Sequence, residues 1–340
     1  MMDFLAQYGL FLAKTLTFVA AVLVTLIVLA AVALRGKKAP GTIFIENLNE
    51  KMSDIRESLQ AETMTKPMLD KLKKDKKKQL KADKKKLKNA KGEKTTPKLF
   101  VMNFDGDIRA SQVHALRETI SAVVEIAQPS DEILLMLESG GGFVHTYGLA
   151  ASQLQRLRTR HLKLTVAIDK VAASGGYLMA CVANKIISAP FAIVGSIGVV
   201  AQVPNFNRLL EKHNIDIEQH TAGEFKRTLT MFGKNTEKGR QKFQQDLEET
   251  HVLFKRYIAE NRPEVPLEEV ATGEHWYGTD ALKLRLVDEL LTSDDYILEK
   301  IKTHDVYEIG YEEKKKLSEK ISNSFGLLAE RLLAKVMGAA

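Results

Sequence analysis

The chain has 340 residues, 45% of them apolar, one cysteine and a formal net charge of +7. That is enough for the core of one or two domains, and it excludes an internal disulfide. Fourteen lysines and four acidic residues between 66 and 94 give that stretch +10 and leave about −3 for the rest, so the basic character belongs to one segment and not to a binding face.

The first element in chain order is apolar. Leu16 to Leu34 is nineteen residues without a charge, about 28 Å as a helix and close to the hydrocarbon thickness of a bilayer. A cleaved signal peptide is the rival, because Ala31-Val32-Ala33 resembles a cleavage site. The run is too long for a signal core, and residues 1–13 hold Asp3 but no lysine or arginine, which favours a retained anchor. Arg35, Lys37 and Lys38 follow the helix, and the positive-inside bias then places the remainder in the cytoplasm.

Pro40-Gly41 breaks the helix, and residues 39–65 are mixed with a weak amphipathic pattern. From Lys66 to Lys94 the lysines come in clusters without aromatic or arginine interleaving, which excludes a folded nucleic-acid module. The composition predicts an extended or marginally helical linker that adheres to anionic lipid. Strand and helix signals alternate from Lys98 onward. Strands are expected at Leu99–Phe104, Ile133–Leu137, Leu162–Ile168, Lys185–Ser188, Phe191–Val194 and Ile215–Gln219. Helices are expected from Ser111, as a cap, to Ala127, at Val144–Arg158, after Ser174, at Asn205–His213 and at Thr236–Asn261. Short buried strands alternating with helices predict parallel pairing and an α/β architecture. The run Ile186–Val203 is apolar but contains Pro190 and Ser196, and it reads as part of this fold and not as a second membrane span. The tail over 312–337 is amphipathic, suited to a neighbouring subunit or a membrane surface.

Two small-residue turns carry the chemistry. Glu138-Ser139-Gly140-Gly141-Gly142 and Ala172-Ala173-Ser174-Gly175-Gly176-Tyr177 each follow an apolar strand and open a helix. Free N–H groups at a helix start favour negative charge, so Gly175 offers a donor beside the Ser174 hydroxyl, and the glycine run offers a second. Two such donors make an oxyanion hole. Ser174 also needs a base. His145 is the nearest histidine; the alternative is a lysine desolvated enough to lose its proton, and Lys226, in Gly223-Glu224-Phe225-Lys226 next to Leu229, Met231 and Phe232, fits that description. Neither a Gly-x-Ser-x-Gly elbow nor a phosphate-binding glycine pattern is present. Cys181 has no activating neighbour in sequence and reads as a buried small residue.

These motifs, with Gly195-Ser196-Ile197-Gly198, resemble in order and spacing the signal peptide peptidase A family of Ser–Lys peptidases, over about residues 98–300, and the layout is similar to its short, membrane-anchored branch. The resemblance implies a ClpP/crotonase-like core of repeated ββα units and a serine endopeptidase acting on peptides or on membrane-associated fragments such as signal-peptide remnants. It implies Ser174 as nucleophile, Lys226 as general base, Ser196 as the hydroxyl that orients the lysine, and Gly141 and Gly175 as oxyanion donors. The family often has proline where Gly140 stands. No cofactor or metal is implied; the expected partners are peptide substrates, a lipid bilayer and copies of the same chain closing a ring. The family's peptidase domain is taken to work outside the bacterial inner membrane, opposite to the face that the charges favour. The expected organisation is a membrane anchor at 1–38, a Lys-rich region at 39–97, the peptidase domain at 98–300, and a C-terminal strand and amphipathic helix at 301–340. Two other readings share these features: a crotonase-like acyl-CoA enzyme using Glu138 or Glu224 as its carboxylate base, and a non-catalytic membrane scaffold.

Overall fold

The computed structural model describes residues 2–33, 41–72, 74–75, 78 and 96–312. The chain divides into two compact units, Met1–Thr42 with Glu312–Ala340, and Ile43–Tyr311. In the first unit helix α1 runs from Met2 to Ala33. The side chains of 26–33 and all of Leu34 lie outside the described set, and among the described residues no helix is long and apolar enough to cross a membrane. Most of the Lys-rich 66–94 segment, and the tail expected over 312–337 beyond Glu312, also lie outside the described residues.

The second unit is a mixed α/β fold on a ten-stranded sheet. Its strands are β1 (Thr42–Asn47), β2 (Lys98–Gly106), β3 (Glu132–Ser139), β4 (Lys163–Ile168), β5 (Val171–Ala173), β6 (Lys185–Ser188), β7 (Ile193–Gly195), β8 (His275–Tyr277), β9 (Glu289–Leu290) and β10 (Asp305–Glu312). The main path runs β1-β10-β2-β3-β4-β6-β9, and the neighbours from β10 to β9 pair in parallel. β5 branches off the end of β3, pairs in parallel with β7, and β7 pairs antiparallel with β8. The strands at the centre are continuous apolar runs because both of their faces are covered.

The helices of this unit include α2 (Leu48–Thr63), α3 (Val113–Ile126), α4 (Val144–Thr159), α5 (Gly175–Ala180), α6 (Asn207–Lys212), α7 (Glu237–Asn261), α8 (Leu267–Val270), α9 (Gly278–Lys283) and α10 (Ser293–Lys300), and residues 66–72 are helical as well. Most expected elements are present within a few residues of their predicted bounds. Ser111 does not cap α3: the Asp107 carboxylate takes both its N–H (2.8 Å) and its hydroxyl (2.6 Å). The strand expected at Ile215–Gln219 is absent, because that exposed stretch has no strand beside it to complete its hydrogen bonds. Between β7 and α7 the only regular element is α6.

β10, the last described strand, lies between β1 and β2 and not at a margin. Helix α10, which precedes it, is held to the sheet by Glu132. That carboxylate accepts from Lys163 (2.8 Å), from Tyr296 Oη (3.2 Å) and from Lys300. Burial alone would push the Glu132 carboxyl up, but the hydrogen bonds from the two lysines outweigh it and hold the group at about 2, against an ordinary 4.5. A depressed carboxyl stabilises the fold above its unfolded value and ceases to do so as pH falls toward the folded one. The melting temperature should therefore drop between pH 4.5 and pH 2 more steeply in the wild type than in Glu132→Gln. Parallel curves for the two proteins in a pH series of thermal melts would contradict this assignment.

Candidate active site

Register brings the two turns together. Most of β3 pairs with β4, but its last residue, Ser139, pairs with Ala172 of β5. The glycine run leaving β3 and Ser174 leaving β5 therefore emerge side by side. A Cβ built on Gly141, whose φ is +88°, would lie 2.7 Å from the Gly175 nitrogen and 2.8 Å from Ser174 Cβ. Only a residue without a side chain permits that approach and that dihedral.

Ser174 itself has φ 52° and ψ −118°, a region that side-chain-bearing residues avoid. Its N–H donates to the carbonyl of Gly195 (2.7 Å), which continues the β5–β7 ladder past Ala173 and places Ser196 next along. Ser196 is also strained, with φ 50°, and its N–H donates to Glu274 O at 2.6 Å. The Ser174 side chain does not cap α5, which leaves the hydroxyl free of the helix start. Strain of this kind at a single serine between a strand and a helix is a feature of functional turns.

Two backbone N–H groups of these turns have no acceptor among the described residues. The Gly175 N–H opens α5 and has no acceptor among the described residues. Gly141 differs from expectation: its N–H donates to Ser139 Oγ at 3.0 Å. The next N–H, that of Gly142, has no acceptor among the described residues. Which glycine of the run is free depends on where the Ser139 hydroxyl points, and nothing in the sequence reports that.

A cavity of about 370 Å³ adjoins Ser174, walled mainly by apolar groups including Val144, Leu178, Leu253 and Phe254. His145 lines it as well, on the first turn of α4 and stacked on Phe143 at 5.8 Å. No hydrogen bond joins His145 to Ser174 among the described residues. Lys226 is exposed in the segment between α6 and α7. Its N–H donates to Gly223 O (3.1 Å), while its ammonium makes no hydrogen bond or ion pair among the described residues. The structure thus gathers Ser174, Gly141, Gly175 and Ser196 through one ladder and does not join Lys226 to them by a bond.

The carboxylates of the acyl-CoA alternative are already engaged. Glu138 pairs with Lys170 at 2.8 Å, and Glu224 pairs with Lys238. Burial pushes the Cys181 thiol up to about 12, which leaves it no thiolate for chemistry. Among the described residues no cluster of three or more histidine, cysteine or acidic side chains could hold a metal.

Comparison with known proteins adds to this geometry. The family description "Peptidase family S49 N-terminal" matches residues 3–154, and "Peptidase family S49" matches residues 156–307. A protein of Haemophilus influenzae described as "Probable protease SohB" is 49% identical over 334 residues, spanning 96% of this chain and 94% of that one. A protein of the same description from Buchnera aphidicola subsp. Schlechtendalia chinensis is 48% identical over 303 residues, spanning 87% of this chain and 99% of its own.

The close approach at Gly141 gives a stability test. Gly141→Ala should cost about 2 kcal/mol or more through strain and collision, whereas Gly140→Ala, with nothing within 4 Å of the added carbon, should stay within about 1 kcal/mol of wild type. Denaturant melts that rank the two variants equally would contradict the packing described.

Proposed function

The chain belongs to peptidase family S49, and on that premise we propose that it is a membrane-anchored serine endopeptidase in which Ser174 attacks and Lys226 is the general base. The observation that carries this reading is the glycine run packed against the strained Ser174 turn, with the Gly175 N–H next to Ser174 and the Gly142 N–H on the wall of the same cavity, both without an acceptor among the described residues. The branch of β5, β7 and β8 from a parallel sheet supports a ClpP/crotonase-like core of repeated ββα units.

In the proposed reaction neutral Lys226 takes the Ser174 proton as Oγ bonds to a peptide carbonyl carbon. The N–H groups of Gly175 and of the glycine run hold the oxyanion; Gly142 is the member of the run free to donate, and Gly141 sets its position. Lys226 returns the proton to the departing amine as the C–N bond breaks, and water then releases the acyl group from Ser174. Ser196, on the next strand end, orients the lysine. The apolar cavity accepts an apolar side chain of the substrate, which suits peptides released at a membrane. The 32-residue helix α1, uncharged after Lys14, supports anchoring in the bacterial inner membrane.

A lysine acts as a base only when it is withdrawn from water. Lys226 is exposed in the single chain, and so are Phe206, Ile215, Ile217, Phe225 and Phe232 of the same stretch between β7 and α7. Assembly with further copies of the chain covers this surface and completes the dyad. Ser174→Ala and Lys226→Ala should each lower peptide hydrolysis by about a thousandfold or more without loss of folding or assembly. Turnover retained by purified Lys226→Ala would refute the dyad, and a pH profile set by a histidine would assign the base to His145. Dilution of detergent-solubilised protein below its assembly range should abolish specific activity; a constant specific activity would separate catalysis from assembly.

A further inference from the structure

Behind the glycine run lies a directional hydrogen-bond chain. The Gly141 N–H donates to Ser139 Oγ at 3.0 Å, Ser139 Oγ lies 2.6 Å from Tyr147 Oη, and the Tyr147 hydroxyl donates to the Asp107 carbonyl at 2.7 Å. The tyrosine has one proton and gives it to Asp107, so the Ser139 proton points to Tyr147 Oη or to the longer contact with Gly106 O at 3.2 Å. The shorter contact makes the order Gly141, Ser139, Tyr147, Asp107, each group donating to the next. Both side chains are buried. Burial also raises the Tyr147 phenol, so it remains a donor.

The tyrosine ring reaches the other half of the site. A Cβ on Gly175 would lie 2.4 Å from Tyr147 Cγ, so the ring lies directly against the residue whose N–H flanks Ser174. Space for the hydroxyl pair is left by Gly106, where a Cβ would meet Tyr147 Oη at 2.5 Å and Ser139 Oγ at 2.7 Å. One residue of α4 therefore touches both oxyanion donors' supports, through its hydroxyl on one side and its ring on the other.

We propose that Ser139 and Tyr147 are positioning residues for acyl transfer, which together fix the glycine run and Gly175 at the spacing an oxyanion needs; this rests on the peptidase reading above. An oxyanion hole is effective because its dipoles do not reorganise during reaction. A run of three glycines has the opposite tendency, with more backbone freedom than any other sequence. Tying the Gly141 N–H to a buried hydroxyl removes that freedom at the residue before the free Gly142 donor. Polarisation along the chain strengthens each bond in turn. Ser139 does not line the cavity, and the Tyr147 ring that does is kept in Tyr147→Phe, so loss of the hydroxyl pair should appear in the transition state and not in substrate binding.

The test compares Tyr147→Phe, which keeps the ring against Gly175 and deletes only Oη, with Ser139→Ala and the double variant. The readouts are kcat and KM for a peptide substrate, inhibition by a peptide aldehyde, whose hemiacetal oxygen occupies the oxyanion position, and the melting temperature. Each single variant should lose about tenfold to a hundredfold in kcat with KM within about twofold. Aldehyde binding should weaken by a similar factor, and the double variant should be little worse than the poorer single one because both break the same chain. An unchanged kcat in Tyr147→Phe and Ser139→Ala would overturn the proposal. So would a loss shared between kcat and KM in proportion to the drop in melting temperature, which is what a structural role alone produces. A wild type that neither hydrolyses peptides nor takes up a fluorophosphonate at Ser174 would overturn the peptidase reading, and this inference with it.

Discussion

The site depends on β3 changing partners along its length. Residues Glu132 to Met136 lie beside β4, while Ser139, three residues further on, lies beside Ala172 of β5. β5 in turn pairs with β7 through Ala172 and Val194 and through Ala173 and Gly195. The ends of β3, β5 and β7 are thereby aligned, and the residues that follow them are the glycine run, Ser174 and Ser196. Side chains alternate across a strand, so a slip of one residue in the β3–β5 contact would turn Ser139 away from the interior and remove the acceptor that holds Gly141.

Alignment of strand ends would be of little use if the turns could relax. Ser174 and Ser196 both sit at positive φ, and each such residue costs on the order of 1–3 kcal/mol unless its surroundings impose it. Ser174 is fixed on both sides, by its N–H on Gly195 O before the turn and by the buried helix α5 after it. Tyr177 of α5 is wholly buried and donates to Leu286 O at 3.0 Å. The same segment receives Arg262, which leaves the end of α7 and bonds both oxygens of Asp288 (2.9 and 2.7 Å) and Arg285 O (3.1 Å). Arg262 is buried while Asp288 is partly exposed, and through these bonds α5 and α7, which border Ser174 and the cavity, are tied to one stretch of chain. The strain at Ser174 is held in place by this far side of the core.

The elements legible in the sequence were those whose signal is local. Apolar runs of four to eight residues gave β2, β3, β4 and β6, and the amphipathic period gave α3, α4 and α7. Ser174 and the glycine run stood out because small residues cluster where backbone must approach backbone. What the residues did not reveal depends on distant partners. Ile215–Gln219 has the alternation of a strand but no edge to join. Ser111 looks like a cap until the fold brings the Asp107 carboxylate to it. Nothing in the sequence singles out Tyr147, since only the position of β3 shows that its hydroxyl meets Ser139. For the same reason Gly141 was expected as a donor when its N–H is already taken.

Lys226, the proposed base, lies in an exposed stretch of chain. The segment between α6 and α7 has no sheet partner and exposes Ile215, Ile217, Phe225, Met231 and Phe232. An apolar patch of that kind on a soluble surface marks an interaction site, and covering it supplies association free energy in proportion to the area removed from water. Under the proposed dyad the same covering removes water from the Lys226 ammonium, which disfavours its charged form. Association and the appearance of a usable base would then be one event. In that scheme a single subunit holds Ser174 and the glycine run in place but leaves Lys226 exposed to water. An isolated chain under this scheme would not cleave peptides, and proteolysis would begin only where subunits have gathered, which a helix such as α1 would favour by confining them to one membrane.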